Sequence, residues 1–192
     1  MLQTQKLPRF KHFSLQISVG PYHAFVDNIL DLAVARESSY VCVAHVHMLV
    51  EAQLSLEYRK MIKGADIVTP DGMPLTKSLL LLNGVHQERV AGMDLLPDLL
   101  SGAQDAQLKV FFYGGQKSML QKTELFIRKN YPEIQIAGLY SPPFRPLSDG
   151  EMDEVADLTI HAPATTTPRI QEMHLVIGHT ICERVEDELT AG

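Results

Sequence analysis

The sequence is short of cysteine. Its 192 residues include only Cys42 and Cys182, far apart and each inside an apolar run. That excludes a disulfide framework, and no C-x-x-C pair suggests a redox or zinc site. A reducing compartment is therefore expected. Neither cysteine has an electropositive motif beside it, so both read as buried, inert thiols. Long hydrophobic runs are missing as well. Unbroken apolar stretches such as Leu79 to Leu82 fall far short of the ~20 residues of a membrane helix. The N-terminus shows no signal-peptide h-region. Positive charge is also scarce: 17 Lys+Arg stand against 23 Asp+Glu, a formal charge of -6. A whole-surface nucleic-acid binder is thereby disfavoured, while a local basic patch stays open. H-E-x-x-H, G-x-S-x-G and Walker A patterns are all absent. So is D-x-D, with which many nucleotide-sugar enzymes hold a divalent metal.

What remains is a soluble, globular composition, 45% hydrophobic and 21% charged, long enough to bury a sizeable core. Short β-like runs alternate with helical patterns, the signature of an α/β fold with a mainly parallel sheet. The strands are expected at 13–19, 40–45, 66–70, 109–115, 134–140 and 157–163. Phe25, Ile29, Leu32 and Ala33 repeat at helical spacing after Pro21, and Met119, Leu120, Phe126 and Ile127 belong to a later helix. A last helix carries Ile170, Met173, Val176, Ile177, Ile181, Val185 and Leu189 as an apolar stripe. Charge shifts near Val155: residues 1–154 hold 15 Lys+Arg and 17 Asp+Glu, residues 155–192 hold 2 and 6.

The strongest local signal is TPDGMP, Thr69 to Pro74. It follows a buried-strand pattern and precedes a helical one. In open α/β sheets ligands bind beyond the carboxyl ends of strands, where Asp71 would sit. A carboxylate there can act as general base on a substrate hydroxyl. It can equally cap the next helix or start an Asp-Gly turn with Gly72. In VAHVHMLVEA, His45 and His47 are polar groups at a strand's carboxyl end or at a helix start; His-x-His without a third ligand is a weak zinc signal. In RVAGMD, Gly92 allows close backbone approach and Arg89 suits phosphate, unless the stretch is a tight turn with Asp94 as N-cap. In FFYGGQKS, Gly114 and Gly115 can bring helix-terminal N–H groups to a phosphate. In SPPF, Phe144, or Tyr140 just before it, can stack on a base, or the prolines simply stiffen a loop. RIQEMHLVIGH sets Gln171 and His179 about 12 Å apart along a regular helix, too far to share one metal.

Taken together, YVCVAHVHMLVEA, ADIVTPDGMPL, RVAGMDLLPDL, KVFFYGG and IAGLYSPPF resemble the WecG/TagA/CpsF family of bacterial glycosyltransferases over about residues 10–154. The resemblance implies an α/β, Rossmann-like fold, a mainly parallel sheet with helices on both faces. It implies inverting transfer of an N-acetylmannosamine-like or other hexose from a UDP-sugar. The acceptor would be a polyprenyl-diphosphate-linked sugar, in exopolysaccharide or other cell-surface polysaccharide synthesis. Asp71 matches the family's catalytic base and Arg89 an arginine of R-V-x-G-x-D. The binding set so implied is Val43, His45, Gly72, Gly92, Asp94, Gly114, Gly115 and Phe144. His45 stands where members have asparagine, and an imidazole does not offer both an amide donor and a carbonyl acceptor. The resemblance implies no required metal, which fits the missing D-x-D; the UDP-sugar is the donor substrate, and zinc belongs only to an alternative reading. The family's Pro-x-Gln-Glu loop and basic C-terminal segment have no counterpart here.

From Ala156, ADLTIHAPATTTPRIQEMHLVIGHTICERVE instead resembles the C-terminal end of sedoheptulose-7-phosphate isomerases of the sugar-isomerase (SIS) family. There Gln171 and His179 match positions of a zinc site between subunits. The expectation is thus a single glycosyltransferase domain, 1–154, with a terminal strand–helix appendage, 155–192. The alternatives are a zinc-dependent phosphosugar isomerase or an inactive fusion remnant. The expected partners are a nucleotide sugar and a lipid-linked acceptor at the membrane surface, not nucleic acid; homo-oligomerisation is left open. The expected location is cytoplasmic, peripheral at the inner face of the membrane.

Overall fold

The computed structural model describes residues 6–142. The chain divides between Leu108 and Lys109 into two units, taken here one at a time. The expected strand at 157–163, the last helix, Phe144, Gln171, His179 and Cys182 lie outside the described residues.

The first unit opens with a hairpin. β1 (Arg9–His12) pairs antiparallel with β2 (Leu15–Ser18), His12 opposite Leu15. Leu15 and Ile17 are buried and Gln16 between them is exposed, the two-residue alternation of a strand with one covered face. The turn is Phe13–Ser14, and Phe13 adopts φ 49°. The single strand expected at 13–19 is thus the second arm of a hairpin, and its partner at 9–12 was not foreseen. Phe-Ser is not a recognisable turn pair, which is why the sequence reads as one run.

β3 (Val41–Ala44) and β4 (Ile67–Pro70) are parallel, with Val41 opposite Ile67, Val43 opposite Thr69 and Ala44 opposite Pro70. Every residue of β4 is buried, as expected of a parallel strand covered on both faces. β2 lies beside β4. The link is a side chain: the Val68 N–H donates to the Ser18 hydroxyl at 3.0 Å. The described strands therefore form separate two-stranded pairs, a mixed α/β arrangement in which the expected parallel pairing holds for β3–β4 and, below, β5–β6.

Five helices complete this unit: α1 (Tyr22–Ala35), α2 (Val46–Leu54), α3 (Leu56–Gly64), α4 (Met73–Asn83) and α5 (Gly92–Asp105). Phe25 of α1 forms a core with Ile67, Val90 and Leu95, and Ile29 and Leu32 pack against it. Ala33, expected on the same stripe, is exposed. α5 approaches α1 closely because Gly102 lacks a Cβ, which would run into the Leu30 side chain. α4 begins with Pro74 in its first turn and ends at Gly84, φ 66°. The Gly84 and Val85 N–H groups close that end on the Leu80 and Leu79 carbonyls, the usual left-handed helix stop.

The second unit, over its described residues, holds β5 (Lys109–Tyr113), α6 (Lys117–Asn130) and β6 (Gln135–Tyr140). β5 and β6 are parallel, with Lys109 opposite Gln135, Tyr113 opposite Tyr140, and an irregularity between Val110 and Phe111. The Phe111 ring lies over Gly138, where a Cβ would fall 2.6 Å from Cε2. Of the expected α6 stripe, Ile127 is buried and Leu120 half-buried, whereas Met119 and Phe126 are exposed.

Candidate functional site

Several segments of the first unit meet at the carboxyl end of the β3–β4 pair. The chain leaves β4 at Asp71, whose N–H donates to the Ala44 carbonyl at 2.7 Å and to Thr69 at 3.1 Å. The residue after β4 is thereby tied to the end of β3. Gly72 follows with φ 105° and ψ 133°, a conformation open in practice only to glycine. It is Gly72 that occupies the N-cap of α4, and no side chain caps that helix. Asp71 therefore does not serve as the cap that its sequence position allows. Its carboxylate is half-exposed and makes no hydrogen bond or ion pair with any described residue.

The segment 85–91 runs along the same edge. The Val90 N–H donates to the Pro70 carbonyl at 3.0 Å, and Val90 is fully buried. That bond delivers α5 to the end of β4. The helix starts at Gly92 with Ala91 as N-cap, so Asp94 stands in the first turn rather than at the cap, where its charge complements the helix dipole. A Cβ on Gly92 would sit 3.7 Å from Val43 Cγ1. Gly92 thus covers the face of β3 that carries Val43, and Thr69 shares that face as Val43's partner in the parallel register. Val43, Gly72, Asp71 and Gly92 are brought together.

Arg89 and Asp94 are brought together in another way. The guanidinium Nη2 lies 2.9 Å from Asp94 Oδ2, and the two side chains are 39% and 47% exposed. A pair this open to water is worth about 1 kcal/mol or less, so a better anion can displace the carboxylate. His45 is the N-cap of α2 without a side-chain cap bond, and its ring stacks on that of His47, centroids 6.0 Å apart and 4° from parallel.

Gly114 and Gly115 belong to the second unit. They follow β5 with φ 106° and 74°, and a Cβ on either would meet nothing within 4 Å. The Gly114 N–H donates to the Tyr140 carbonyl at 2.9 Å, and the Ser141 hydroxyl to the Gly115 carbonyl at 2.6 Å. The Tyr140 ring stacks against Tyr113, centroids 5.7 Å apart.

Thr69 entered the sequence analysis only as the first residue of TPDGMP, without a role of its own. It is fully buried, and its hydroxyl has no hydrogen-bond partner among the described residues. The only signal was one polar residue in an otherwise apolar run. Cys42, on β3, is buried, and burial pushes its thiol up to about 12, which accords with an inert side chain. Among the described residues no three His, Cys, Asp or Glu are grouped to hold a metal ion, and no helix is long and apolar enough to cross a membrane.

The model of one family, described as "Glycosyl transferase WecG/TagA/CpsF family", matches residues 10–165. An N-acetylglucosaminyldiphosphoundecaprenol N-acetyl-beta-D-mannosaminyltransferase of Bacillus spizizenii is 31% identical over 125 residues, 64% of this chain and 46% of that protein. Its namesake in Bacillus subtilis is 30% identical over 82 residues, 43% of this chain and 32% of that protein. Phosphoheptose isomerase 2 of Campylobacter jejuni is 41% identical over 76 residues, 40% of this chain and 34% of that protein. The chain spans less than half the length of these curated relatives.

Proposed function

We propose that this chain, which belongs to the glycosyl transferase WecG/TagA/CpsF family, transfers an N-acetylmannosamine-like or other hexose from a UDP-sugar to a polyprenyl-diphosphate-linked acceptor. The family and its named transferase relatives are glycosyltransferases. The single observation that carries the catalytic reading is the Asp71 carboxylate. It stands at the carboxyl end of a parallel strand pair, on a backbone fixed by two hydrogen bonds, and its oxygens have no partner among the described residues.

In this reading Asp71 accepts the proton of the acceptor hydroxyl as that oxygen attacks the anomeric carbon. The bond from the anomeric carbon to the UDP oxygen breaks, the pair of electrons leaves with UDP, and the configuration inverts. Arg89 exchanges Asp94 for the diphosphate, and the first-turn N–H groups of α5, opened by Gly92, add neutral donors to the same charge. Val43, His45 and Gly72 line the approach. Gly114, Gly115 and Phe144 are assigned to substrate binding by the family resemblance alone. No step of the reading calls on a metal. The transferase portion is assigned to 1–154 and the isomerase-like portion to 155–192. The product belongs to cell-surface polysaccharide synthesis, and the acceptor is met at the inner face of the membrane.

UDP release from a panel of UDP-sugars, with a polyprenyl-diphosphate-linked acceptor analogue, tests the reading. Acceptor-dependent release that vanishes in Asp71→Ala, with UDP binding kept, is the expected result; equal turnover in the variant would sink the assignment of the base. A second reading, a zinc-dependent phosphosugar isomerase using Gln171 and His179, draws on the likeness to phosphoheptose isomerases. It requires stoichiometric zinc and conversion of a ketose phosphate, and a zinc-free or inert preparation would dispose of it.

A further inference from the structure

Charge is unevenly distributed in the first unit. The protein carries a formal -6, yet residues 6–26 and 72–87 contain no Asp or Glu. The first segment holds Lys6, Arg9 and Lys11, the second Lys77. These segments are the β1–β2 hairpin with the start of α1, and α4 with its exit loop. They are fastened to each other. His12 is buried to 1% exposure, with Nδ1 2.7 Å from Asn83 Oδ1 and Nε2 2.8 Å from the Ser78 hydroxyl. The hairpin tip is thus pinned to the last turns of α4. Lys6, Lys11 and Lys77 are exposed, whereas Arg9 is committed to the Ala65 and Asp66 carbonyls.

The same surface is apolar where it projects. α4 buries Leu75, Thr76 and Leu79. Its outer face carries Met73, Lys77 and Leu81 at four-residue spacing, with Leu81 81% and Leu82 63% exposed. Phe13, at the hairpin tip beside His12, is 57% exposed. Its φ of 49° is the left-handed conformation that a two-residue hairpin turn ordinarily gives to Asn or Gly. An aromatic ring there strains the turn and is not buried within the chain. A projecting phenylalanine and leucines, on two segments that carry exposed lysines and no acidic residue, match an interfacial surface.

We propose that the outer face of α4 and the Phe13 hairpin tip together dock on an anionic lipid bilayer, α4 lying in the plane of the headgroups. Charge complementarity selects this occupant, since the patch is the acid-free cationic part of an acidic chain. The eleven residues of α4 span about 16 Å. One end holds Leu81 and Leu82 on the lipid. The other begins two residues after Asp71, which brings the carboxylate to headgroup level, where a lipid-linked diphosphate presents its sugar. The significance of that placement rests on the transferase reading, but the docking itself does not.

The test is co-sedimentation of the full chain with vesicles of equal parts phosphatidylglycerol and phosphatidylcholine, against phosphatidylcholine alone. Wild type is expected to sediment with the anionic vesicles only, and less at high salt. Phe13→Ser with Leu81→Ser, and separately Lys11→Glu with Lys77→Glu, should each weaken binding about tenfold or more. All four side chains are exposed, so an unchanged thermal midpoint confirms folding. Failure of wild type to bind anionic vesicles, or equal binding by the apolar double variant, overturns the proposal. So does a wild-type dimer in sedimentation equilibrium that the same variant dissociates, because a second copy would then cover the face. Transfer to a short-chain, water-soluble acceptor should be the same in wild type and the apolar double variant. Loss of that transfer in wild type would overturn the transferase reading and leave the vesicle result standing.

Discussion

Two strand ends in this molecule use the same device with different results. After β4 the chain turns through Asp71 and Gly72; after β5 it turns through Gly114 and Gly115. Both turns need positive φ, and both lead into a helix. β4 is buried along its whole length and its exit is tied to Ala44, Thr69 and Val90. β5 is half-buried at four of its positions and exposed at Lys109, and its exit is tied to β6 through the Gly114 bond to Tyr140. The first turn presents a charged oxygen on a fixed frame. The second presents backbone in open space. A carboxylate that has to meet one hydroxyl, the role proposed for Asp71, needs the first kind of support.

The sharpest way to break this contrast is to remove the charge and leave the frame. Asp71→Asn should lower transfer by about 10²–10⁴-fold with little change in thermal midpoint; steady-state kinetics beside calorimetry would show both. Next in size is the frame itself. Leu75 is fully buried on the inner face of α4, and Leu75→Ala should lose about 2–5 kcal/mol in denaturant unfolding. Phe126→Ser, on the exposed face of α6, should stay within about 0.5 kcal/mol. Backbone strain comes third. Gly72→Ala should cost about 1–3 kcal/mol and depress kcat, because φ 105° must be abandoned or forced. Gly114→Ala, with the same sign of φ and nothing within 4 Å, should lose stability of similar size yet affect KM for the donor more than kcat. If both glycine variants lowered kcat alike, the two turns would not divide the work as described.

The smallest effect concerns Tyr22. Burial, and then its 2.6 Å bond to Asp98, push its phenol up to about 12 from 10.0. A folded-state value above the unfolded one adds stability below pH 10 that is lost as pH rises toward 12. Tyr22→Phe should therefore flatten the alkaline limb of a stability–pH profile between those values. Tyr22 is partly exposed, so a difference of only a few degrees is expected, and an unaltered profile would count against the Asp98 contact.

The parts legible in the sequence were those with a pattern matching one local rule. IVTP followed by Asp-Gly reads as a buried strand and a turn, and the structure has β4 and the Gly72 turn there. KVFFYGG reads likewise as β5 and its glycine exit. The hairpin was missed because Phe13-Ser14 carries no turn signature, and the pairing of β1 with β2 depends on residues that look unstructured by themselves. Met119, Phe126 and Ala33 were misplaced for a different reason. Helical spacing gives the stripe, but which apolar residues are covered depends on what packs opposite. Around the candidate site the Asp71–Gly72 turn and the close approach of Gly92 were legible. The Arg89–Asp94 ion pair was not, since five-residue spacing across a helix start follows no sequence rule, and Thr69 needed its burial to be noticed at all.

The Ser18 hydroxyl that receives the Val68 N–H has a consequence for how the molecule assembles. It joins residues 50 apart in sequence, while the hairpin that carries it closes through a two-residue turn. The hairpin can close quickly but is marginal alone, so it is held only once β4 exists and a long loop closes. On a ribosome, β1–β2 emerges early and stands idle until the chain has been made past Pro70. In the finished protein the same asymmetry runs backwards. The Ser18 bond, the His12 contacts and the Arg9 bonds to the Ala65 and Asp66 carbonyls are the polar ties by which the hairpin is held, so it can open as one piece only when these release together. Hydrogen exchange should register that opening as a separate, faster class of amides in 9–18, made faster still by Ser18→Ala, with β3 unaltered and the Val68 amide of β4, which loses its acceptor, also faster.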